Sequence, residues 1–314
     1  MKIIFFGTPA FAAHILSYLN DQKVDIVAIV TQPDKEKGRT SKKNVSVKDL
    51  AQKQLPHIPL FQPQKASDSA FLEKLKSFNA DLFVVVAYGK ILSTQLLDIP
   101  KLDTINVHAS LLPKYRGAAP IQRALMNGDK KTGITIMKVV KELDAGDILA
   151  IQDLEISNSM DAGDLEKALC EIAKPLLLKV IKQFKDNKVS YTPQNNSQAT
   201  YAHKIDKEDR WVHVFQDAHC FYNQVRGLSP YPGAFIKLCI QDQCKQLLIK
   251  KCHPINHQAQ PGELFAYNGH PLCLGCEKGS IALDIVQPEG KKAMDIKAFM
   301  AGIKQDIKLV HPET

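Results

Sequence analysis

Short apolar runs alternate with amphipathic stretches through roughly the first 185 residues. KIIFF (Lys2–Phe6), VDIVAIVT (Val24–Thr31), DLFVVVAY (Asp81–Tyr88) and TINVHA (Thr104–Ala109) are almost continuously apolar. Strands buried on both faces read this way. Between them apolar residues return at helical spacing: Phe11, Ile15 and Leu19, then stretches near Val47–Gln54, Asp68–Ser77 and Ala118–Met126. Pro120 suits a first helical turn. GITIMKVV (Gly133–Val140) and DILAIQDLEI (Asp147–Ile156) predict two paired strands. Leu165, Leu169, Ile172, Leu176 and Val180 stripe one side of a helix over about 161–184.

The rhythm then changes. YTPQNNSQATYAHKI (Tyr191–Ile205) is polar and aperiodic, and 190–206 reads as a linker. Beyond it lie one helix, near Ala218–Gly227, and short strands at Ala234–Ile240, Gln246–Cys252, Gly262–Tyr267, Leu272–Leu274 and Ser280–Val286. The fold class expected is α/β, a Rossmann-like doubly wound open sheet domain (1–189) followed by a small OB-like β-barrel domain (207–314). Open α/β sheets hold ligands beyond the carboxyl ends of their strands. Tyr88-Gly89 and the pair Asn106 and His108 stand at such ends.

Composition changes this picture little. The 314 residues are 45% hydrophobic and 24% charged, ordinary values for a globular chain of about two domains. No apolar run approaches a membrane span, and the N-terminus lacks a signal-peptide cleavage site, so a cytoplasmic protein is expected. Seven cysteines are scattered. Cys273 and Cys276 form one Cys-x-x-Cys without a second, and Cys252-His253 lacks the spacing of a zinc ribbon or finger. No metal is expected, and the thiols should be reduced.

The net charge is +8, a weak pointer to a polyanionic partner. From Lys207 onward 13 basic residues face 11 acidic, leaving +2; the first 206 residues carry 28 against 22, or +6. DKEKGRTSKK (Asp34–Lys43) packs five cations into ten residues. It reads equally as a solvated loop or as one that closes on phosphates.

Candidate chemistry is narrow. The chain has no G-x-G-x-x-G, no P-loop, no G-x-S-x-G and no H-E-x-x-H. What remains is INVHASLLPKYRGAAPIQRAL (Ile105–Leu125) and KELDAGDILA (Lys141–Ala150). Asn106 and His108 project to one face of a strand. Asp144 lies in a turn beside Gly146. An amide donor, an imidazole and a carboxylate suit acyl transfer to an amine: the amide steadies a developing oxyanion, the imidazole moves a proton, and the carboxylate orients or exchanges it. A turn Asn, a capped Asp and a satisfied strand-end His are the structural alternatives.

Asn106-Val107-His108-Ala109-Ser110-Leu111-Leu112-Pro113, with Tyr115-Arg116-Gly117-Ala118-Ala119-Pro120-Ile121-Gln122, resembles the signature of the folate-dependent formyltransferases. FFGTPAFA (5–12), TQPD (31–34), VVVAYG (84–89), ELDAGDIL (142–149), SPYPGAF (229–235) and QPEGKKAM (287–294) extend the likeness across the chain, toward the branch that acts on methionyl-tRNA. The resemblance implies Asn106, His108 and Asp144 as the catalytic trio. It implies 10-formyltetrahydrofolate as co-substrate, with Ser110, Leu111, Leu112 and Pro113 in the folate segment. The backbone at Val86, Tyr88 and Leu92 would wall the pterin. Arg39, with Lys42 and Lys43, would seat initiator Met-tRNA, and the barrel would hold its inner face. The implied enzyme is monomeric and off the membrane, and transfers the formyl group directly through a tetrahedral intermediate.

Two blocks depart from that pattern. The acidic-aromatic pair of the family becomes KEDRWVHVF (Lys207–Phe215), and a block often carrying Trp has Tyr231. Two other functions fit parts of the chain. A formyltransferase for a nucleotide sugar or ribonucleotide amine would share the trio without needing the barrel. A non-catalytic nucleic-acid-binding protein would need the barrel alone.

Overall fold

The computed structural model describes residues 1–34, 45–241, 243–303 and 306–310. The expected basic residues Arg39, Lys42 and Lys43 lie outside the described residues. The strands are β1 (Ile3–Gly7), β2 (Ile26–Val30), β3 (Leu60–Phe61), β4 (Leu82–Val86), β5 (Asp103–His108), β6 (Arg116–Gly117), β7 (Lys131–Lys138), β8 (Ile148–Glu155), β9 (Tyr201–Ala202), β10 (Ala234–Ile240), β11 (Gln243–Ile255), β12 (Leu264–Tyr267), β13 (His270–Gly275), β14 (Ser280–Pro288), β15 (Met294–Asp295) and β16 (Ile307–Val310). The helices are α1 (Ala10–Asp21), α2 (Val47–Gln54), α3 (Ser69–Lys76), α4 (Thr94–Leu97), α5 (Pro120–Met126), α6 (Ala162–Lys185), α7 (Ala218–Leu228) and α8 (Ile296–Ala301).

The chain forms two units. The first comprises 1–120, 131–155 and 166–202; the second comprises 121–130, 156–165 and 203–314. The first unit holds a seven-stranded sheet in the order β3-β2-β1-β4-β5-β7-β8. Its neighbours are parallel from β3 to β5. They turn antiparallel at β5–β7 and β7–β8, the two strands predicted as a pair. β1 and β4 are wholly buried, which accounts for their unbroken apolar sequences. α2 opens with a capping box in which Ser46 and Asp49 satisfy each other's backbone N–H groups. The stretch at 190–206, read from sequence as a linker, supplies β9, which pairs in parallel with β6.

The second unit is an antiparallel sheet in the order β12-β13-β14-β11-β10-β16, with β15 beside β14. Its two ends, β12 and β16, approach within 8 Å between Cα atoms, so the sheet curls toward a barrel. β11 is longer than the predicted Gln246–Cys252 because it pairs with both β10 and β14; register shifts near Lys251 let it bend between them. α8 and β16 have no counterpart in the sequence reading. Phe221, Val225, Phe235-flanking Ile236, Ile249, Leu274, Leu283 and Val286 are buried in this unit, mostly in one shared cluster with α7.

The KEDRWVHVF segment is anchored within the second unit. Asp209 accepts two bonds from Arg123, at 2.7 and 2.6 Å, and Trp211 packs on Phe235 with ring centroids 5.6 Å apart. Burial pushes the Asp209 pKa up, but hydrogen bonds from Arg123 and Asp206 together with the guanidinium charge outweigh it, and the net shift is downward.

One cysteine expectation is corrected. Cys239 and Cys244 form a disulfide; they are direct partners across β10 and β11, so the ladder itself juxtaposes the sulfurs. The other five are free, and Cys170, Cys252, Cys273 and Cys276 are buried.

Tyr88 lies in the apolar cluster of the first unit, edge-on to Phe6, and its hydroxyl has no hydrogen-bond partner. A buried orphan hydroxyl forfeits its hydration without return. Tyr88→Phe should leave unfolding free energy unchanged or raise it by about 1 kcal/mol in urea titration. A loss of that size would show that the hydroxyl is satisfied.

Candidate active site

β5 sits between β4 and β7, held by ladders on both edges. Its last residues therefore have a fixed position. Asn106 and His108 share a face; His108 is buried, whereas Asn106 is half-buried and its amide makes no hydrogen bond among the described residues. His108 Nε2 lies 2.9 Å from the Tyr115 carbonyl oxygen. A carbonyl only accepts, so Nε2 carries the proton and Nδ1 is left for exchange. Nδ1 faces Asp144 Oδ2 across 3.6 Å.

Asp144 reaches His108 by an indirect path. β7 runs antiparallel to β5, with Lys138 paired to Ile105 and Val139 N bonded to Thr104 O. The β7–β8 connection thus begins level with the first half of β5 and folds back along the sheet. Its backbone is constrained: Asp144 has φ of 48°, in the left-handed region where a non-glycine residue is uncommon. Gly146 lies so close to the Lys138 carbonyl that any Cβ would collide with it. Asp144 Oδ2 also accepts the Gly117 N–H at 2.8 Å.

The Ser110–Pro113 turn is braced from within. Ser110 Oγ donates to Lys114 O at 2.6 Å, and Thr135 Oγ1 bridges Ser110 O and Leu112 N. Leu112 is buried; Leu111 and Pro113 are half-buried. Val86 and Tyr88 turn their side chains into the core and Leu92 packs against it, so this wall offers backbone and not side chains. Ala87 and Gly89 there have φ of 46° and 76°, and Ile91 next to them is 94% exposed. The trio residues line neither of two open hollows of about 430 Å³ on this unit, one beside Tyr18 and Pro175, the other beside Phe61 and Phe71.

Residues 1–181 match the formyl transferase family and residues 204–304 match the formyl transferase C-terminal domain. The chain belongs to the formyl transferase family. It is 44% identical to a methionyl-tRNA formyltransferase of Protochlamydia amoebophila over 98% of this chain and 96% of that protein. It is 40% identical to one from Kosmotoga olearia over 98% and 99%. Among solved structures, the N-formyltransferase from Helicobacter canadensis in complex with folinic acid and dTDP-3-aminofucose shares the fold, with a TM-score of 0.69 at 18% identity, over 92% of this chain and 99% of that one. HypX from Aquifex aeolicus in complex with tetrahydrofolic acid does so with a TM-score of 0.67 at 17% identity, over 98% and 48%.

One side chain in this family member, Gln194, escaped the sequence reading. Gln194 Nε2 donates to Asp144 O at 2.8 Å and to Gly146 O at 2.7 Å, clamping the strained turn. Its Oε1 accepts from buried Arg116, at 3.1 Å from Nε and 2.7 Å from Nη2, and Arg116 Nη2 also reaches Asn196 Oδ1 at 2.7 Å. The guanidinium fixes which way the Gln194 amide points, so its N–H groups face the turn. The only sequence signal was a Gln-Asn-Asn run without periodicity, which a linker also shows.

Gln194→Glu separates support from fold. The carboxylate keeps Arg116 as a partner but loses both donors to the turn. Turnover should fall about tenfold to a hundredfold while the melting temperature stays near wild type. Wild-type turnover would show that the Asp144 turn stands without the clamp.

Proposed function

We propose that this chain transfers the formyl group of 10-formyltetrahydrofolate to the α-amine of methionine on initiator Met-tRNA. The observation that carries the reading is the approach of His108 Nδ1 to Asp144 beside the unengaged Asn106 amide, in a chain 44% identical to a named methionyl-tRNA formyltransferase over nearly its full length. The reading predicts a soluble monomer acting in the cytoplasm; among the described residues no helix is long and apolar enough to cross a membrane.

The residues present suit a folate. Exposed Ala87 and Gly89 and the exposed, apolar Ile91 offer backbone groups and an apolar neighbour to a pterin ring. The Ser110–Pro113 turn supplies a second braced edge. The co-substrate supplies the formyl carbon and leaves with its nitrogen protonated.

Asn106 donates to the formyl oxygen as the neutral amine attacks and negative charge grows there. His108, pinned through Nε2, presents Nδ1 toward the reacting centre with a fixed orientation. The amine must lose one proton as the new C–N bond forms, and the departing folate nitrogen must gain one as the old C–N bond breaks. Asp144 and His108 Nδ1, 3.6 Å apart, are spaced to pass that proton. Residues 1–189 would carry the chemistry and residues 207–314 the tRNA, with Arg39, Lys42 and Lys43 at its acceptor end. The nucleotide-sugar alternative gains little, because the likeness to sugar formyltransferases is one of fold at 17–18% identity.

Purified protein with labelled 10-formyltetrahydrofolate should formylate Met-tRNA and leave free methionine and amino-sugar nucleotides unlabelled. Label on the sugar alone would overturn the assignment. Asn106→Ala should lower kcat by about 10²–10³-fold, and His108→Ala by about 10²–10⁴-fold, each with a near-native far-UV spectrum. Near-wild-type turnover in either would remove that residue from the mechanism.

A further inference from the structure

A second group of chemically capable side chains lies in the second unit, well separated in sequence from the trio. His253 on β11, His270 on β13 and Asp284 on β14 bring one ligand-type atom each to within 4.8 Å of the others. They are the one such group of three or more His, Cys, Asp or Glu side chains among the described residues. We propose that these three residues bind a divalent transition-metal ion of the zinc type.

The geometry admits a shared ion as well as the hydrogen bond that already joins two of the residues. His253 Nδ1 and Asp284 Oδ2 are 2.9 Å apart. Two ligands of one such ion, each about 2.1 Å from it in a tetrahedral site, stand about 3.4 Å apart, so the pair need open by only about half an ångström. The His270 ring packs edge-on to His253, with centroids 5.0 Å apart. It needs only a modest side-chain rotation to complete a two-histidine, one-carboxylate face, and its half-exposed setting allows one. The three residues come from strands bonded to one another: Ala282, two residues from Asp284, pairs with His253 on one side and Cys273 on the other. The ladder therefore fixes the backbone of the site before any ion arrives. The set combines two neutral nitrogen donors with one anionic oxygen, which suits Zn²⁺ and its neighbours better than Ca²⁺ or Mg²⁺. All three are half-buried, so water can fill the remaining positions.

The nearby cysteines do not compete for the ion. Cys252 and Cys273 are buried, and neither sulfur is among the three ligand atoms that converge. The expectation of no metal rested on cysteine spacing, which cannot register a donor set spread over 32 residues and three strands. Such an ion would tie β11, β14 and β13 together by side chains as well as by their ladders. It touches none of the trio, so its role is structural.

The test is isothermal titration of the metal-stripped full-length protein with ZnCl₂ near pH 7.5, beside melting curves with and without the ion. Wild type should bind one equivalent and melt at a higher temperature with zinc. Asp284→Asn retains a hydrogen-bonding group for His253 but removes the anionic ligand, and should weaken binding at least about tenfold. His270→Gln should do the same, and neither should change the melting temperature of the metal-free protein by more than a few degrees. No zinc binding by wild type would overturn the proposal. So would wild-type affinity and stoichiometry in either variant, which would place the ion on other histidines.

Discussion

The geometry of the candidate site depends on how the turn around Asp144 is held. Its carboxylate faces His108 only because the backbone at Asp144 adopts φ of 48° and the turn bends back over β5. A residue in that conformation costs on the order of 1–3 kcal/mol, so the surroundings must impose it. Three contacts do so: Gly117 N–H to the carboxylate, and the Gln194 amide to two carbonyls on either side of Ala145. Arg116 stands behind Gln194, buried and bonded to the neutral amides of Gln194 and Asn196. The trio is thus one part rigid strand and one part supported turn.

Much of the first unit was readable in advance because burial on two faces writes itself into composition. β1 and β4 are buried throughout and β5 is buried except at Asn106, and the stripe along α6 is a simple period. Asn106 and His108 stood out as polar interruptions at the end of such a run. Asp144 stood out less, since an Asp beside a turn has many local reasons to exist. Gln194 was invisible: its function lies in contacts 48 and 50 residues away, and nothing local distinguishes it from a loop amide. Tyr88 misleads in the opposite sense. Its position at a strand end suggests backbone open to a ligand, whereas the ring completes the core and the carbonyl is engaged by Thr8 and Gln32.

The second unit was harder to read, for a physical reason. Its strands have one face on the core, they bend at bulges, and their partners are distant in sequence. A thirteen-residue strand such as β11 therefore looks like a short one flanked by loop. The disulfide and the two-histidine cluster share this origin. Each is produced by register between strands, a property of pairing and not of spacing along the chain.

The route of the β7–β8 connection has one more consequence. The connection leaves β7 at Val139, level with Thr104, and must climb four strand positions, about 13 Å, to bring Asp144 to His108. The number of residues between Val139 and Asp147 sets whether the carboxylate arrives beside the ring, short of it or past it. Reach, governed by hairpin length, is therefore a design variable separate from side-chain identity. A chain could keep an intact sheet and all three polar residues and still lose the approach of Asp144 to His108 for want of one link.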